Sequence, residues 1–347
     1  MKKLKIGIIG CGKIAQYRHI PEYLTNEHAQ IAGYFDINQK RAQNLAQEFG
    51  GETYNSYQTL LADEEIDAVS VCTTNISHAE ITIAALKAGK HVLCEKPMAT
   101  AMEACQQMVD TAQEEGRFLM IGQNQRLAKA HVRAKELLTN GIIGEILSFR
   151  TTFGHSGPET WSIDPGPGTW FFDENLAVMG VMADLGIHKT DLIQYLTGQR
   201  IVETTARLHT LDKLDEVGKP ISVDDNAFCF YKLENGAIGT MHVSWTFYGN
   251  EDNSTIIYGT KGIMRIYDDP DYSIRVNTSE GEEILYDIDR IQTNEVQTKS
   301  GVIDAFVESI LKNQEPEISG RTVLDAMRVI FASIESSKRH KPVMIKH

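Results

Sequence analysis

The chain has 347 residues, of which 42% are apolar and 23% charged, with a formal net charge of −13. The length suits two domains, and the composition is that of an ordinary globular protein. The negative balance and the lack of any basic block argue against a nucleic-acid or anionic-membrane partner, and no run is apolar enough to span a bilayer.

The opening MKKLKIGIIG places two lysines before apolar residues, as a signal peptide does. Gly10, Gly12, Lys13 and Gln16 interrupt it and no small-residue cleavage site follows, so it reads as a first strand. Leu4 to Ile9 is almost continuously apolar, as a buried parallel strand would be, and Gly10-Cys11-Gly12-Lys13-Ile14-Ala15 follows at once. Gly10 suits a tight turn out of the strand. Gly12 has no side chain to obstruct a pyrophosphate, and Ala15 is small enough for close helix–strand packing. A helix starting at Lys13, Ile14 and Ala15 would aim its N–H groups at the phosphates. A second apolar run, Gln30 to Phe35, ends in Asp36. That carboxylate either accepts hydrogen bonds from ribose hydroxyls or caps a helix. In the first case it repels a 2′-phosphate and favours NAD over NADP, a preference that Arg41, a turn downstream, would soften.

Strand-like and helix-like segments then alternate: Asp67 to Cys72, Ser77 to Lys87, His91 to Cys94, Ala101 to Glu115 and Arg117 to Ile121. The alternation predicts an α/β domain over residues 1–122 with a doubly wound parallel sheet of the Rossmann type. Thr73-Thr74-Asn75, Glu95-Lys96-Pro97 and Gln123-Asn124 all fall at carboxyl ends of strands, where such sheets bind ligands.

From residue 123 the pattern changes. A helix is expected over His131 to Leu138 and a strand over Glu145 to Phe153, and residues 154–175 form a loop rich in glycine, proline and aromatic residues. A helix over Val181 to Leu196 follows, then strands Ile201 to His209, Asn226 to Leu233, Ala237 to Trp245, Ser254 to Tyr258 and Gly262 to Tyr267. Helices over Val302 to Lys312 and Thr322 to Ser337 finish the chain. Short connections favour antiparallel pairing, so residues 123–347 are expected to be an α+β domain with an open, mainly antiparallel sheet, serving substrate binding and oligomerisation. An uncovered sheet face predicts a homodimer or homotetramer.

Asp184 and His188 are four apart in what reads as an amphipathic helix, with Asp191 three further on. A histidine there suits taking a proton from an alcohol, and Lys96 suits stabilising the alkoxide. The same spacing also fits an exposed ion pair, and Lys96 alone fits a surface lysine. In the aromatic loop, Trp161 and Trp170, with Phe171 and Phe172, suit either sugar C–H faces, with His155 on a hydroxyl, or core packing. The cysteines at 11, 72, 94, 105 and 229 have no CxxC spacing, so neither a metal site nor a disulfide framework is indicated and a reducing cytoplasm fits.

Gly10 to Ala15, Thr74 to His78, Ala88 to Pro97 and Asp184 to Asp191 together resemble the Gfo/Idh/MocA oxidoreductases over nearly the whole chain. The resemblance implies a catalytic set of Lys96, Asp184 and His188. It also implies cofactor contacts from Gly10, Gly12, Ala15, Asp36, Asn75, His78, Glu95 and Lys96, the last before a cis peptide bond to Pro97. His78 by itself would read as a satisfied helix histidine. Asn124 and Arg126 match the N-x-R that opens the second domain in relatives, with Arg126 either touching the cofactor or capping the joint. The implied activity is NAD-dependent oxidation of a secondary alcohol of a sugar, polyol or cyclitol such as inositol. Two rivals are an NAD-using glycosidase, which oxidises its sugar only transiently, and a non-catalytic dinucleotide sensor, against which the intact Lys96, Asp184 and His188 stand.

Overall fold

The structure, a computed structural model, describes residues 3–290 and 299–347. The chain divides into two units, Met1–Asn124 with Gln297–Leu324, and Gln125–Val296 with Asp325–His347.

In the first unit, β1 (Leu4–Ile9), β2 (Ala29–Phe35), β3 (Glu52–Thr53), β4 (Ala68–Val71), β5 (His91–Cys94) and β6 (Leu119–Ile121) form one sheet in the order β3-β2-β1-β4-β5-β6. Every pair is parallel. The strands that read as apolar runs are the buried ones, because helices must cover both faces of a parallel sheet. The crossovers carry α1 (Ile20–Thr25), α2 (Gln39–Phe49), α3 (Tyr57–Leu61), α4 (His78–Lys87) and α5 (Met102–Glu114). The strand order reverses between β1 and β4, which puts a ligand crevice at their carboxyl ends.

The second unit holds α6 (Lys129–Thr139), β7 (Ile146–Gly154), α7 (Ile187–Thr197), β8 (Ile201–His209), β9 (Asn226–Leu233), β10 (Ile238–Ser244), β11 (Thr255–Gly259), β12 (Gly262–Ile266), β13 (Ile274–Thr278), β14 (Glu283–Tyr286) and β15 (Val343–Met344). Its sheet runs β14-β13-β12-β11-β7-β10-β9-β8-β15. All neighbours are antiparallel except β7 and β10, which are parallel. The long connection through α7, β8 and β9 permits that pairing, which short-turn reasoning did not anticipate. Strands β13 to β15 were also unread, being short or broken by charge. Along β9 the buried Cys229, Tyr231 and Leu233 alternate with the exposed Phe228, Phe230 and Lys232, so one face is covered and the other open. Tyr231 Oη meets Thr190 Oγ1 of α7 at 3.1 Å, which identifies α7 as part of the cover.

Helix α7 departs from expectation in two ways. It starts at Ile187, after a wide π-helical turn over Met182–Gly186, and Ile187 to Ile193 are all buried, so it is not amphipathic. The sheet covers one side, the loop at Asn253 receives Lys189 Nζ at 2.8 Å, and Arg126 covers a third side.

The first unit's opening segment runs to Asn124, two residues past the expected boundary, but α8 (Val302–Lys312), expected in the second domain, lies in the first unit. Ser300 donates twice to Glu22, from N at 2.8 Å and from Oγ at 2.6 Å, and Ile121 N donates to Ile318 O at 3.0 Å. These long-range bonds leave no local signature in the sequence. The last helix, α9 (Gly320–Arg339), brings Ser336 and Ser337 to β8, where their hydroxyls accept from Ala206 N and Leu208 N at 3.0 and 2.9 Å. An edge otherwise paired only by the two-residue β15 is thereby closed. No helix among the described residues is long and apolar enough to cross a membrane.

Candidate active site

The turn after β1 is built on Gly10, whose φ of +92° only glycine adopts readily. A Cβ there would stand 2.6 Å from the Cys72 carbonyl group. Cys11 N donates to Asp36 Oδ2 and Asn38 N to Asp36 Oδ1, both at 2.7 Å, so the Asp36 carboxylate organises the turn and the loop after β2. Asp36 does not cap α2, whose N-cap position is Asn38. Ala15 is buried and opens a π-helical turn over Ala15–His19, while Lys13 Nζ lies 3.5 Å above the Tyr17 ring. Arg41 is half-buried in the first turn of α2.

At the ends of β4 and β5, His78 joins two loops: Nδ1 is 2.8 Å from Pro97 O and Nε2 is 3.0 Å from Thr73 O. Burial lowers its pKa. Ser77 Oγ sits 2.8 Å from Thr73 Oγ1 and 2.9 Å from Thr74 O, and Asn75 is buried beside them. The Lys96–Pro97 bond is cis. Glu95 is buried, with Oε1 2.9 Å from His19 Nε2 and Oε2 accepting from Lys96 N at 3.2 Å. His19 continues through Ser70 Oγ at 3.1 Å to Tyr23 Oη. Burial would raise the Glu95 pKa, but His19, Arg18 and Lys96 together hold it at about 2. A Cβ on Gly122 would come within 2.9 Å of that carboxylate. Glu95 and His78 thus hold the strand ends that carry Lys96 and Thr73. His19, Ser70 and Tyr23 escaped the sequence reading because nothing local marks residues that meet across 47 positions or more. Lys96 and Asn124 are both half-buried.

In the second unit, Asp184 and His188 are 6% and 7% exposed, which removes the exposed ion-pair reading. The segment is capped by Asp224, which accepts from Gly180 N at 3.1 Å and Met182 N at 2.8 Å. Asp184 Oδ2 accepts from Trp245 Nε1 at 3.0 Å, and the His188 ring lies 6.0 Å from that of Phe153. Asp191 receives a two-pronged bond from Arg126, Nε to Oδ2 at 2.7 Å and Nη2 to Oδ1 at 2.5 Å, which gives Arg126 a buried partner within its own unit. Next to His188, burial pushes Lys189 down to about 7; burial and then the Lys189 charge push His131 down to about 3.

The aromatic residues form one chain of ring contacts. His155 meets Trp161 at 6.1 Å, Trp161 meets Phe171 at 5.2 Å, Phe171 stacks on Trp170 at 3.9 Å, and both Phe171 and Phe172 reach Trp245. Trp161, Trp170 and Phe171 are half-buried, so the wall keeps accessible ring surface. His155 Nδ1 accepts from Gly157 N at 3.0 Å. The ring proton of the neutral form is therefore on Nε2, and His155 presents a donor rather than a base there. Lys213, from the loop between β8 and β9, clamps this segment by donating to Ser156 O at 2.6 Å and to the Glu159 carboxylate.

Residues 4–123 match the oxidoreductase family with an NAD-binding Rossmann fold, and residues 131–265 match the GFO/IDH/MocA C-terminal domain. The chain is 31% identical over 288 residues to a levoglucosan dehydrogenase of Pseudarthrobacter phenanthrenivorans, covering 76% of this chain and 73% of the relative. This chain belongs to the Gfo/Idh/MocA oxidoreductase family. Among other members, a myo-inositol 2-dehydrogenase of Thermotoga maritima is 25% identical over 99% of both chains. A solved levoglucosan dehydrogenase in complex with NADH and levoglucosan superposes with a TM-score of 0.85 at 25% identity, over the whole of both chains.

A Gfo/Idh/MocA chain must hold a dinucleotide, and the turn fits one. No atom lies within 4 Å of a Cβ built on Gly12, in contrast to Gly10. The fold itself does not require glycine at residue 12, whereas a pyrophosphate approaching the main chain would. No cluster of three or more His, Cys, Asp or Glu side chains among the described residues is placed to hold a metal ion.

Proposed function

We infer that this NAD-dependent oxidoreductase oxidises a secondary alcohol of a sugar, polyol or cyclitol. The observation that carries the reading is the second unit's buried Asp184 and His188 and the half-buried rings linked to Asp184 through Trp245. Ring faces of this kind suit the C–H surface of a sugar, and a donor at His155 Nε2 suits one of its oxygens. In the proposed reaction His188 takes the hydroxyl proton, Asp184 orients the imidazole and the substrate, and Lys96 stabilises the alkoxide. NAD, when bound, accepts the hydride at its nicotinamide ring. Its phosphates would lie on Gly10, Gly12, Lys13, Ile14 and Ala15, and its adenosine ribose on Asp36. Thr73, Thr74, Asn75, Lys96 and Asn124 would line its path, with Glu95 and His78 holding those strand ends.

The test is NADH formation, followed by absorbance, with levoglucosan, myo-inositol and methyl glucoside as first substrates. Product without net NADH would indicate the glycosidase instead. NAD binding with no turnover across a wide sugar and polyol panel would indicate the sensor.

The homodimer or homotetramer is supported by the open sheet face. Phe228, Phe230 and Ile238 are 47%, 65% and 61% exposed on the side away from α7, and Ile238 pairs with Lys232 next to Phe230. Five buried, unpaired cysteines suit a reducing cytoplasm.

A further inference from the structure

Trp245 follows β10 and was not among the residues singled out in the sequence. It is fully buried, and its main-chain N donates to Asp225 O at 2.9 Å. Its indole N–H is committed to Asp184 Oδ2 at 3.0 Å. Its ring takes the edge of Phe171 at 6.4 Å and 88°, and meets Phe172 at 5.9 Å and 43°. One side chain therefore touches both the catalytic carboxylate and the aromatic segment. A core tryptophan could have met a main-chain carbonyl; this one meets a buried carboxylate. Charge-assisted bonds of that kind are roughly twice as strong as neutral ones and fix the acceptor's orientation. Asp184 also sits in a π-helical turn, and the main chain there is held by Asp224 from the loop before β9. Trp245 fixes the side chain where Asp224 fixes the main chain.

We propose that Trp245 is a positioning residue for this reaction: its indole N–H holds the Asp184 carboxylate in one orientation and links it to the Phe171–Phe172 segment. The proposal rests on the catalytic reading of Asp184. A reorientation of that carboxylate is felt in the transition state, where it supports the proton transfer to His188, more than in sugar binding.

The test compares Trp245→Phe, replacement of Trp245 by benzothienylalanine, and Asp184→Asn. Benzothienylalanine keeps the bicyclic shape and loses only the N–H. Activity is read with NAD and the fastest of levoglucosan, myo-inositol and methyl glucoside; NAD affinity and thermal melting report on the fold. With the benzothienyl side chain, kcat is expected to fall about 10- to 100-fold, the factor for one hydrogen bond to a charged group. KM for the sugar should stay within about threefold, and NAD affinity and melting should be unchanged, because the lost bond acts on the transition state. A kcat within about twofold of the parent, the scale of a group with no part in the transition state, beside an inactive Asp184→Asn, would overturn the proposal and leave the catalytic reading intact. An active Asp184→Asn would overturn both.

Discussion

Gly10 and Gly12 stand two residues apart and are glycine for different reasons. Gly10 has positive φ and main-chain atoms where a Cβ would go, whereas Gly12 faces open space. Gly10→Ala should therefore cost stability, about 1–3 kcal/mol in urea denaturation, with its strained backbone and close contact. Gly12→Ala should leave the denaturation curve in place and raise the Kd for NAD about tenfold or more, which titration would show. The reverse pattern would mean that the phosphates lie elsewhere. Asp36 carries a second expectation. NAD should be preferred over NADP in kcat/KM, and Asp36→Asn, which keeps an acceptor for Cys11 N and removes the charge, should narrow that gap. Preference for NADP in the parent enzyme would give Arg41 the larger influence. At the reaction itself, His188→Ala should lower kcat about 10²–10⁴-fold and Lys96→Ala about 10²–10³-fold, with KM rising less. His155 is a poor substitute base, since Gly157 N–H occupies its Nδ1 and leaves the proton on Nε2. Near-normal kcat in His188→Ala would show that another group takes the proton.

Helix α7 illustrates what an element decides. With the π-helical turn before it, it carries the i, i+4 residues Asp184 and His188, and burial keeps both from being a solvated surface contact. The same burial imposes a cost at Lys189, whose amine lies against Asn253 O and near Thr255 Oγ1. Burial brings its pKa from 10.5 down to about 7. Between those values the unfolded chain binds the proton and the folded chain does not, so stability rises with pH across that window. Lys189→Met should accordingly melt higher than the parent at pH 6 to 7, a range set roughly by that folded value. Its advantage should shrink as pH climbs toward 10.5, the unfolded value. A melting difference that is flat with pH would mean that the amine stays charged in the fold. Glu95 shows the opposite sign. Held at about 2 against an ordinary 4.5, it adds stability that is present above 4.5 and is lost as pH falls toward 2.

At the scale of the whole molecule, the nine-stranded sheet is the unusual surface. Its inner face is covered in part by α7, and its outer face offers Phe228, Phe230 and Ile238 to solvent. A contiguous apolar patch of that kind marks an interaction site. Light scattering at micromolar concentration is expected to give a dimer or tetramer, and Phe230→Glu should shift it toward monomer, because a charge buried in an apolar interface has no partner. A parent protein that scatters as a monomer would refute the interface. An unchanged oligomer in Phe230→Glu would move it to another face.

Much of this protein can be read from local order along the chain. Period and punctuation suffice for a strand, a glycine turn and a helix, so β1, β2, β4, β5 and β6, the turn at Gly10 to Ala15 and the carboxylate of Asp36 are legible without coordinates, whereas the two-residue β3 is not. Glu95 to Pro97 and Asp184 to His188 are legible as short runs of consecutive residues that resemble the family's, although their own residues alone left a surface lysine and an exposed ion pair open. What remained hidden depends on contacts between distant residues. The return of α8 to the first unit rests on Ser300 and Glu22, the support of Glu95 on His19 and Ser70, and the orientation of Asp184 on Trp245, 61 positions away. The parallel pairing of β7 with β10 and the burial that removes Asp184 and His188 from the surface are likewise set by what packs against each residue. Hydrogen bonds and burial are properties of a neighbourhood in space, and only folding brings that neighbourhood together.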